Sequence, residues 1–334
     1  MRILVTGGAG FIGSNFVRYW LERHAGDAVV VYDALTYAGN RASLADVEGR
    51  IAFVEGDICD GELAASVMRD ERIDVVVNFA AESHNSLAVV DPGRFFRTNV
   101  LGTQTLLEAA RATGVVRFHH VSTCEVYGDL PLDSAERFGE DSPYRPRTPY
   151  NASKAGADHA VRAYFETYGL PVTITNCSNN YGPFQFPEKV IPLFTTNALD
   201  DLPLPLYAST AHKREWLHVL DHCAAIDLVL HEGREGETYN VGSGREATIE
   251  EIADRVLELT GKPASLKTIV PDRPGHDRRY LLDSTKIRDQ LGWEETHDFD
   301  AGLADTVRWY AENRDWWLPL KGRAPVEESA AWSR

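Results

Sequence analysis

The sequence predicts an α/β protein built on a doubly wound parallel sheet, followed by a smaller, mixed α/β lobe. In the first half, short β-branched segments alternate with longer helical segments, which is typical of βαβ units. A glycine-rich turn separates the first β-branched segment from the first helical one. After about Cys177 the alternation loosens and prolines become frequent, which indicates loops and irregular segments in the second half.

The individual elements follow from these segments in chain order. Strands are predicted at Arg2–Thr6, Ala28–Tyr32, Ile51–Glu55, Asp74–Asn78, Arg117–Val121 and Val172–Cys177. Because these strands are uniformly apolar, we expect helices to cover both faces of their sheet. Helices are predicted at Phe11–His24, Gly61–Arg69, Arg94–Thr113, Tyr150–Tyr168, Ile249–Thr260 and Ala301–Asn313.

Composition and charge exclude several classes of protein. Of the 334 residues, 43% are hydrophobic and 25% are charged, which is ordinary for a globular protein and argues against global disorder. Lys and Arg number 34 against 50 Asp and Glu, and the net charge of −16 argues against a nucleic-acid partner. No apolar segment reaches the roughly 18 residues that span a bilayer, so no membrane partner is expected. We therefore expect a cytoplasmic protein.

The four cysteines do not form a recognisable disulfide or metal pattern. Cys59, Cys124, Cys177 and Cys223 are far apart, with no Cys-x-x-Cys pair and no Cys/His ligand spacing. We therefore expect neither a disulfide framework nor a metal site.

The glycine-rich turn predicts a dinucleotide site. Gly7, Gly10 and Gly13 lie between the first strand and the first helix, where glycines permit a tight turn and the approach of a pyrophosphate to the helix N-terminus. Asp33 stands twenty residues after Gly13, at the end of the second strand. A carboxylate there accepts hydrogen bonds from ribose hydroxyls and repels a 2′-phosphate, which favours NAD over NADP. Alternatively, the glycines form an ordinary tight βα turn that binds no ligand, and Asp33 is a surface acid.

Two further groups of residues suggest proton-transfer chemistry. Tyr150 and Lys154 share one face at the start of a helix, and an ammonium beside a phenol lowers the phenol's pKa, which makes a base for a sugar hydroxyl. Thr123, Cys124 and Glu125 follow the fifth strand, at the edge of the sheet where ligands bind. Alternatively, the helix is simply amphipathic, the cysteine is a small buried apolar residue and the glutamate is a surface acid.

Together these motifs resemble the extended short-chain dehydrogenases/reductases, and most closely the dTDP-glucose 4,6-dehydratases. The match extends to about Trp317. Beyond the glycine turn, the segments that carry the resemblance are 33–40 (DALTYAGN), 56–58 (GDI), 79–84 (FAAESH), 175–183 (TNCSNNYGP), 186–189 (FPEK), 272–280 (DRPGHDRRY) and 283–286 (DSTK).

The resemblance implies a domain organisation and an assembly. Residues 1–177, with parts of 213–243, would form an NAD-binding Rossmann domain, and residues 178–212 and 244–334 would form a lobe that binds the sugar nucleotide. It also implies a homodimer in which the helices predicted at Arg94–Thr113 and Tyr150–Tyr168 pack into a four-helix bundle.

The resemblance further implies an activity, the NAD-dependent dehydration of a nucleoside-diphosphate glucose to a 4-keto-6-deoxy sugar by a hydro-lyase. Tyr150, assisted by Lys154, would deprotonate the 4-hydroxyl while hydride passes to NAD. Glu125 would take the C5 proton, water would leave from C6, and hydride would return to C6. Thr123 would hydrogen-bond the 4-oxygen.

The residues implied to bind the two ligands are carried over from the family's motifs. Cofactor residues are Gly7, Gly10, Phe11, Ile12, Gly13, Asp33, Leu35, Thr36, Asp57, Ile58, Phe79, Ala80, Ala81, Ser83, Thr98, Tyr150, Lys154 and Asn176. Substrate residues are Ser83, His84, Thr123, Asn179, Glu188, Lys189, Leu193, Pro205, Tyr207, Arg214, Asn240, Arg273 and His276.

Two departures from the family pattern bear on the chemistry. Cys124 stands where the family usually has an aspartate that acts as general acid at C6, and a neutral thiol donates protons less readily. The related GDP-mannose 4,6-dehydratases have serine there, so Glu125 could serve both C5 and C6. The segment 84–88 (HNSLA) replaces the family's His-Val-Asp-Arg-Ser beside the sugar.

Several alternatives stay open at this point. The chain could be a 5,6-dehydratase, a UDP-glucuronate decarboxylase or a 4-epimerase, or an inactive NAD-binding regulatory protein. Glu125 argues against a simple epimerase, which needs no base for C5, and the intact Tyr150 and Lys154 argue against an inactive protein. The choice between dTDP and UDP rests on resemblance.

Overall fold

The strands are defined in a computed structural model that describes residues 1–323. They are β1 Arg2–Thr6, β2 Ala28–Asp33, β3 Ile51–Glu55, β4 Val75–Asn78, β5 Arg117–Thr123, β6 Val172–Cys177, β7 Asn179–Tyr181, β8 Leu204–Tyr207, β9 Lys213–His218, β10 Thr238–Val241, β11 Glu246–Thr248 and β12 Lys267–Val270. Seven of them form one parallel sheet in the order β10-β6-β5-β4-β1-β2-β3. The predicted doubly wound sheet is therefore confirmed.

The helices are α1 Phe11–Arg23, α2 Gly61–Asp70, α3 Asn85–Val90, α4 Pro92–Phe95, α5 Thr103–Thr113, α6 Pro149–Tyr168, α7 Val190–Leu199, α8 Val219–Glu232, α9 Ile249–Thr260, α10 Thr285–Leu291, α11 Phe299–Glu312 and α12 Arg314–Trp317. Alternate strand residues face opposite sides of the sheet. Leu4 of β1 packs in a core with α2, α5 and α6. Ile3 and Val5 pack in a second core with α1 and α8. Helices therefore cover both faces, as expected.

The second part of the chain adds a smaller lobe. It contains a three-stranded sheet, β11-β9-β7, and a two-stranded parallel sheet, β12-β8. Its core includes Phe194 of α7, Val256 of α9 and Leu303 of α11. The strand β10 joins the main sheet, whereas β9 belongs to the lobe. The exact domain boundaries stay a prediction, and residues 324–334 of the predicted lobe lie outside the described residues.

One predicted helix needs correction. The segment predicted as one α-helix at Arg94–Thr113 begins earlier, at Pro92, and is π-helical over Phe96–Gly102. Proline suits the first turn of a helix because its missing N–H has no helical partner there. Within the π segment the Asn99 amide bonds both backbone groups of Glu82. Such wide turns commonly mark functional sites, and Thr98 of this turn lies beside the main cavity.

Two other observations complete the fold. Strand β5 extends two residues further than predicted and so includes Ser122 and Thr123, which it carries to the edge of the sheet. Among residues 1–323, no helix is both long and apolar enough to cross a membrane.

Candidate active site

The main cavity lies at the carboxyl ends of the central strands. It has a volume of about 630 Å³, and the segments that follow β1, β2, β4, β5 and β6 all contribute to its lining. The strand order reverses between β1 and β4: from β1 the chain adds β2 and β3 on one side, and from β4 it adds β5 and β6 on the other. A crevice at this position is the usual ligand site of an open α/β sheet.

The glycine turn forms one end of this cavity through its backbone. Gly7 has a φ of 66°, which favours glycine. A Cβ on Gly13 would lie 2.4 Å from the carbonyl oxygen of Gly7, so a side chain there would push α1 away from the turn. The first hydrogen bond of α1 runs from the Ser14 N–H to the Gly10 carbonyl, so the amides of Phe11 and Ile12 precede the helical ladder. Amides in this position suit a pyrophosphate.

Asp33 closes the same end of the cavity with a carboxylate. Its two oxygens accept hydrogen bonds from the N–H groups of Ala9 (2.9 Å) and Leu35 (2.8 Å). Burial raises the pKa of Asp33, and these two backbone donors oppose that rise. The carboxylate is thus fixed in orientation beside the cavity and retains acceptor capacity for ribose hydroxyls.

Most of the predicted cofactor residues come together here. The cavity is lined by Gly7, Gly10, Phe11, Ile12, Gly13, Asp33, Thr36, Asp57, Ile58, Phe79, Ala80, Ala81, Ser83, Thr98, Tyr150 and Lys154. Two predicted residues do not belong to the lining formed by the described chain. The side chain of Leu35 packs against the apolar core beside α1. The amide of Asn176 is fully buried and donates to the Tyr127 hydroxyl at 2.8 Å.

The other end of the cavity contains the predicted reacting groups. Thr123, Glu125, Tyr150 and Lys154 all line it. Thr123 accepts a hydrogen bond from the Glu125 N–H at 3.3 Å and so caps the short turn Cys124–Tyr127. Its hydroxyl also hydrogen-bonds Tyr150. One phenol, one carboxylate and one hydroxyl therefore face the same space.

The expectation that Lys154 lowers the pKa of Tyr150 needs correction. Burial raises the pKa of Tyr150 well above its ordinary value, and the negative charge of Glu125 raises it further. The Lys154 ammonium donates instead to the Val121 carbonyl (2.8 Å) and lies 3.2 Å from Nε2 of His120. The phenol's pKa therefore reflects its dry surroundings more than the lysine.

Glu125 and Cys124 are adjacent in the chain, but only Glu125 lines the cavity. Burial raises the pKa of Glu125, and nearby Asp277 adds to the rise while Arg273 and Arg214 oppose it. Burial also raises the pKa of Cys124 well above its ordinary range, so the thiol stays protonated. Cys124 packs among apolar side chains and does not belong to the described lining of the cavity.

The sugar-side residues divide into two groups. Ser83, Asn179, Glu188 and Lys189 line the main cavity, as does Thr123. The Lys189 ammonium donates to the Ser83 carbonyl at 2.8 Å. His84 lies behind the lining, with Nε2 3.2 Å from a Glu188 oxygen. Burial lowers the pKa of His84 to about 4, so the ring is neutral at pH 7 and this contact is not an ion pair.

The second group lies outside this lining. Leu193 packs in the core of the lobe. The Arg214 guanidinium donates to backbone carbonyls of residues 213, 277 and 278, and the His276 ring contacts the Tyr207 ring at 4.9 Å. Asn240 is fully buried and its side chain bonds the Tyr127 hydroxyl and the Phe138 carbonyl. The predicted substrate residues outside the described lining are His84, Leu193, Pro205, Tyr207, Arg214, Asn240, Arg273 and His276.

The structure also places residues in the cavity that the sequence did not single out. Tyr37 lines it and donates to Glu188 at 2.9 Å. Asn85 and Ser178 line it too, and each has a buried oxygen without a hydrogen-bond partner among the described residues, Oδ1 and Oγ respectively. All three lie in or beside segments that carry the resemblance, so the resemblance could have identified them. Such oxygens suit the hydroxyls of a sugar.

Known proteins share both the sequence and the fold. The model of the GDP-mannose 4,6 dehydratase family matches residues 4–306. dTDP-glucose 4,6-dehydratases of Mycobacterium tuberculosis and Streptomyces niveus are 50% and 49% identical over 322 and 327 residues, covering 96% of each chain. The crystal structure of DesIV, a dTDP-glucose 4,6-dehydratase from Streptomyces venezuelae solved with NAD and a dTDP ligand, superposes with a TM-score of 0.92 at 52% identity, over 96% of this chain and 100% of DesIV. The chain therefore belongs to the dTDP-glucose 4,6-dehydratase family.

Proposed function

We propose that this chain is a hydro-lyase that converts dTDP-glucose into the corresponding 4-keto-6-deoxy sugar with NAD as its cofactor. The observation that carries the proposal is the shared cavity, in which a dinucleotide turn with Asp33 meets Tyr150 and Glu125. The printed activity and ligands of the relatives support it. NAD, when bound, accepts a hydride from C4 of the sugar and returns a hydride at C6.

The chain's own residues divide the work. The glycine turn and Asp33 hold the dinucleotide. Tyr150 takes the proton of the 4-hydroxyl, for which the positive charges of Lys154 and of the nicotinamide ring of bound NAD must offset the burial that raises the pKa of the phenol, and Thr123 hydrogen-bonds the same oxygen. The resulting 4-ketone acidifies C5, and Glu125 removes the C5 proton. Asn179 and Lys189 line the same cavity, as do Asn85 and Ser178, whose buried oxygens have no partner among the described residues, and these four residues are the proposed partners of the sugar hydroxyls and the diphosphate.

Glu125 also protonates the leaving C6 hydroxyl in this account. Cys124 occupies the position of the family's general acid, but its thiol is packed among apolar side chains and its pKa is raised. Glu125 carries the proton taken from C5, and it lines the cavity. Delivery of that proton to C6 releases water without a second acid.

Arg214, Arg273 and His276 form the proposed nucleotide end of the substrate site, together with Pro205 and Tyr207. The positive charges of Arg273 and Arg214 oppose the rise in the pKa of Glu125. The Arg273 Nε is buried without a hydrogen-bond partner among the described residues. A guanidinium group in this state suits a diphosphate.

The proposal also includes an oligomeric state and a cellular location. Large apolar side chains are exposed beside and on the two helices expected at a dimer interface, with Phe96 43%, Leu101 59% and Tyr168 55% exposed. Their burial against a second copy supports a homodimer, which light scattering of the purified protein tests. The cysteines are free, and three of them are buried, which is consistent with a cytoplasmic location.

The decisive experiment supplies dTDP-glucose deuterated at C4. The proposal expects loss of one water with deuterium recovered at C6, read by mass spectrometry and NMR. Deuterium retained at C4 of a dehydrated product would indicate a 5,6-dehydratase instead. Epimerised sugar without loss of water, or no reaction, would contradict the proposal, and UDP-glucose in parallel tests the choice of base.

A further inference from the structure

A cluster of two histidines and one aspartate lies where the end of α1 packs against α8. His24 follows the last residue of α1, and Asp227 and His231 belong to α8. Nε2 of His24 lies 3.0 Å and 3.1 Å from the two carboxylate oxygens of Asp227, and Nδ1 of His231 lies 3.0 Å from Oδ1 of the same carboxylate. The three groups present nitrogen and oxygen atoms within 4.8 Å of one another. Two imidazole nitrogens therefore converge on one carboxylate.

The surroundings hold these three side chains in position. Asp227 and His231 are four residues apart and so share one face of α8. The His24 ring packs against the fully buried Trp20 ring, with ring centroids 4.1 Å apart, and the two imidazole rings stack at 5.1 Å. The Tyr19 hydroxyl hydrogen-bonds the Asp227 carboxylate. Metal ligands in proteins commonly have second hydrogen-bond partners of this kind, which fix their orientation.

The carboxylate of this cluster has no basic partner that would compensate its charge. Within the described chain, Asp227 pairs with His24 and His231, and with neither a lysine nor an arginine. The side chains of His24, Asp227 and His231 are 25%, 15% and 39% exposed, so the cluster opens to water on one side. The net charge of −16 attracts cations to the protein as a whole. The cluster is thus accessible to a cation and carries a negative charge to bind it.

The ligand set and its spacing suit Zn²⁺. This ion binds imidazole nitrogen and carboxylate oxygen at about 2.0–2.2 Å, which sets tetrahedral ligand atoms about 3.4 Å apart. The two separations of 3.0 Å are close to that value, so small side-chain rotations make room for the ion. A neutral imidazole binds metal through one nitrogen and keeps its proton on the other. Mg²⁺ and Ca²⁺ prefer sites made of oxygen ligands alone.

We infer that His24, Asp227 and His231 form a zinc site that joins the end of α1 to α8, with water as the remaining ligand. This departs from the expectation of no metal site, which rested on Cys/His spacing. His24 and Asp227 are 203 residues apart in the chain, so no local spacing could reveal them as ligands of one ion.

The zinc site is separate from the main cavity. The glycine turn precedes α1 and the zinc site follows it, and the 13 residues of α1 span about 20 Å. None of the three ligands belongs to the described lining of the main cavity. Because α1 and α8 share the core on one face of the sheet, a bound ion would stabilise that packing. The inference therefore does not depend on the proposed function.

The test titrates Zn²⁺ alone into the untagged full chain by calorimetry, after a chelator has stripped the protein and been removed. We expect one Zn²⁺ bound per chain. At a free Zn²⁺ concentration about 100-fold above Kd, the unfolding temperature should rise by about 5 °C, because unfolding separates the two helices that supply the ligands. Mg²⁺ at the same concentration should produce neither effect.

Three conservative variants distinguish a metal site from a cluster that is only hydrogen-bonded. His24→Gln, His231→Gln and Asp227→Asn each keep a polar side chain and remove one ligand. Each should weaken Zn²⁺ binding by at least about 10-fold and abolish the rise in unfolding temperature. A cluster that is only hydrogen-bonded would give no Zn²⁺ binding in any of these proteins. All three side chains are partly exposed, so the substitutions leave the apolar core intact.

His297→Gln is the matched control. His297 also contacts a carboxylate of α8, with Nδ1 2.8 Å from an Asp221 oxygen, but Nδ1 of the neighbouring His218 accepts a hydrogen bond from the Leu220 N–H. This variant should bind Zn²⁺ like the wild type. Failure of the wild type to bind Zn²⁺, full binding by all three ligand variants, or equal binding of Mg²⁺ would overturn the inference. Zn²⁺ binding needs no turnover, so the result is independent of the experiment with deuterated sugar.

Discussion

The two ends of the main cavity are built in different ways. The dinucleotide end is made largely of backbone: the Gly7 turn, the first amides of α1, and a carboxylate held by two backbone N–H groups. The reacting end is made of partly or fully buried titratable side chains, whose pKa values all depart from their ordinary values. Cofactor binding at the dinucleotide end should therefore be sensitive to added side-chain volume. Catalysis at the reacting end should be sensitive to the loss of a titratable group or to a change in its protonation state.

The largest effect should come from the reacting end. Tyr150→Phe removes the base for the 4-hydroxyl, and steady-state dehydration should fall by about 10²-fold to 10⁴-fold because general base catalysis is lost. NAD affinity, measured by calorimetry, should change far less than turnover, because the glycine turn and Asp33 are intact. The exposed Tyr168→Phe is the matched control and should be fully active. Wild-type turnover by Tyr150→Phe would contradict the assignment of Tyr150 as the base for the 4-hydroxyl.

The dinucleotide end should respond to volume instead. Gly13→Ala places a methyl group against the Gly7 carbonyl oxygen, and the shift of α1 should cost about 1–3 kcal/mol of stability and weaken NAD binding. Gly26→Ala is the control, since a Cβ there meets no atom of the described chain within 4 Å. Thermal unfolding and NAD titration measure both effects. Equal behaviour of the two alanine variants would show that close backbone approach is unimportant here.

A pH profile sharpens the comparison further. Glu125 must be ionised to accept the C5 proton, and burial raises its pKa, so activity should decline on acidification at a higher pH than an ordinary glutamate would give. The Arg273 charge opposes this rise, so Arg273→Gln should move the acidic limb of kcat to higher pH. The exposed Arg308→Gln leaves it in place. An acidic limb that moves to lower pH in Arg273→Gln would contradict the assignment of Glu125 as the base.

The smallest effect should come from Cys124. Cys124→Ala removes an apolar contact in a small core cluster, and it should cost about 1 kcal/mol of stability. Turnover should fall far less than the roughly 100-fold that loss of an acid or base group costs. Steady-state kinetics and thermal unfolding measure the two quantities. A loss of activity as large as that of Tyr150→Phe would make the thiol the missing general acid.

The contrast between the two ends also explains what the sequence could predict. The dinucleotide end follows from the spacing of Gly7, Gly13 and Asp33, because backbone geometry depends on where glycines stand. The spacing of Tyr150 and Lys154 predicted one shared face, and both line the cavity, but the spacing could not reveal that Lys154 contacts His120 of strand β5. The direction of the Tyr150 pKa shift depends on burial, which is a property of the folded chain.

Other differences have the same origin. The π-helical turn contains Asn99, whose side chain bonds the backbone of Glu82, seventeen residues away in the chain, and no local pattern predicts this contact. Asn240 is one of the substrate residues that the resemblance implies, yet its side chain is hydrogen-bonded to the Tyr127 hydroxyl and the Phe138 carbonyl. Motifs therefore predicted which segments reach the site better than which side chains face it.

The most direct test of the central claim separates oxidation from elimination in Glu125→Gln. In this variant Tyr150 and the dinucleotide end are intact, so adding dTDP-glucose should convert bound NAD to NADH, seen by its absorbance and fluorescence, with little dehydrated product. Glu125→Asp, which keeps the carboxylate, should restore part of the turnover. Rapid product formation by Glu125→Gln, or failure to form any NADH, would contradict the account that oxidation at C4 comes first and that Glu125 then drives the elimination of water.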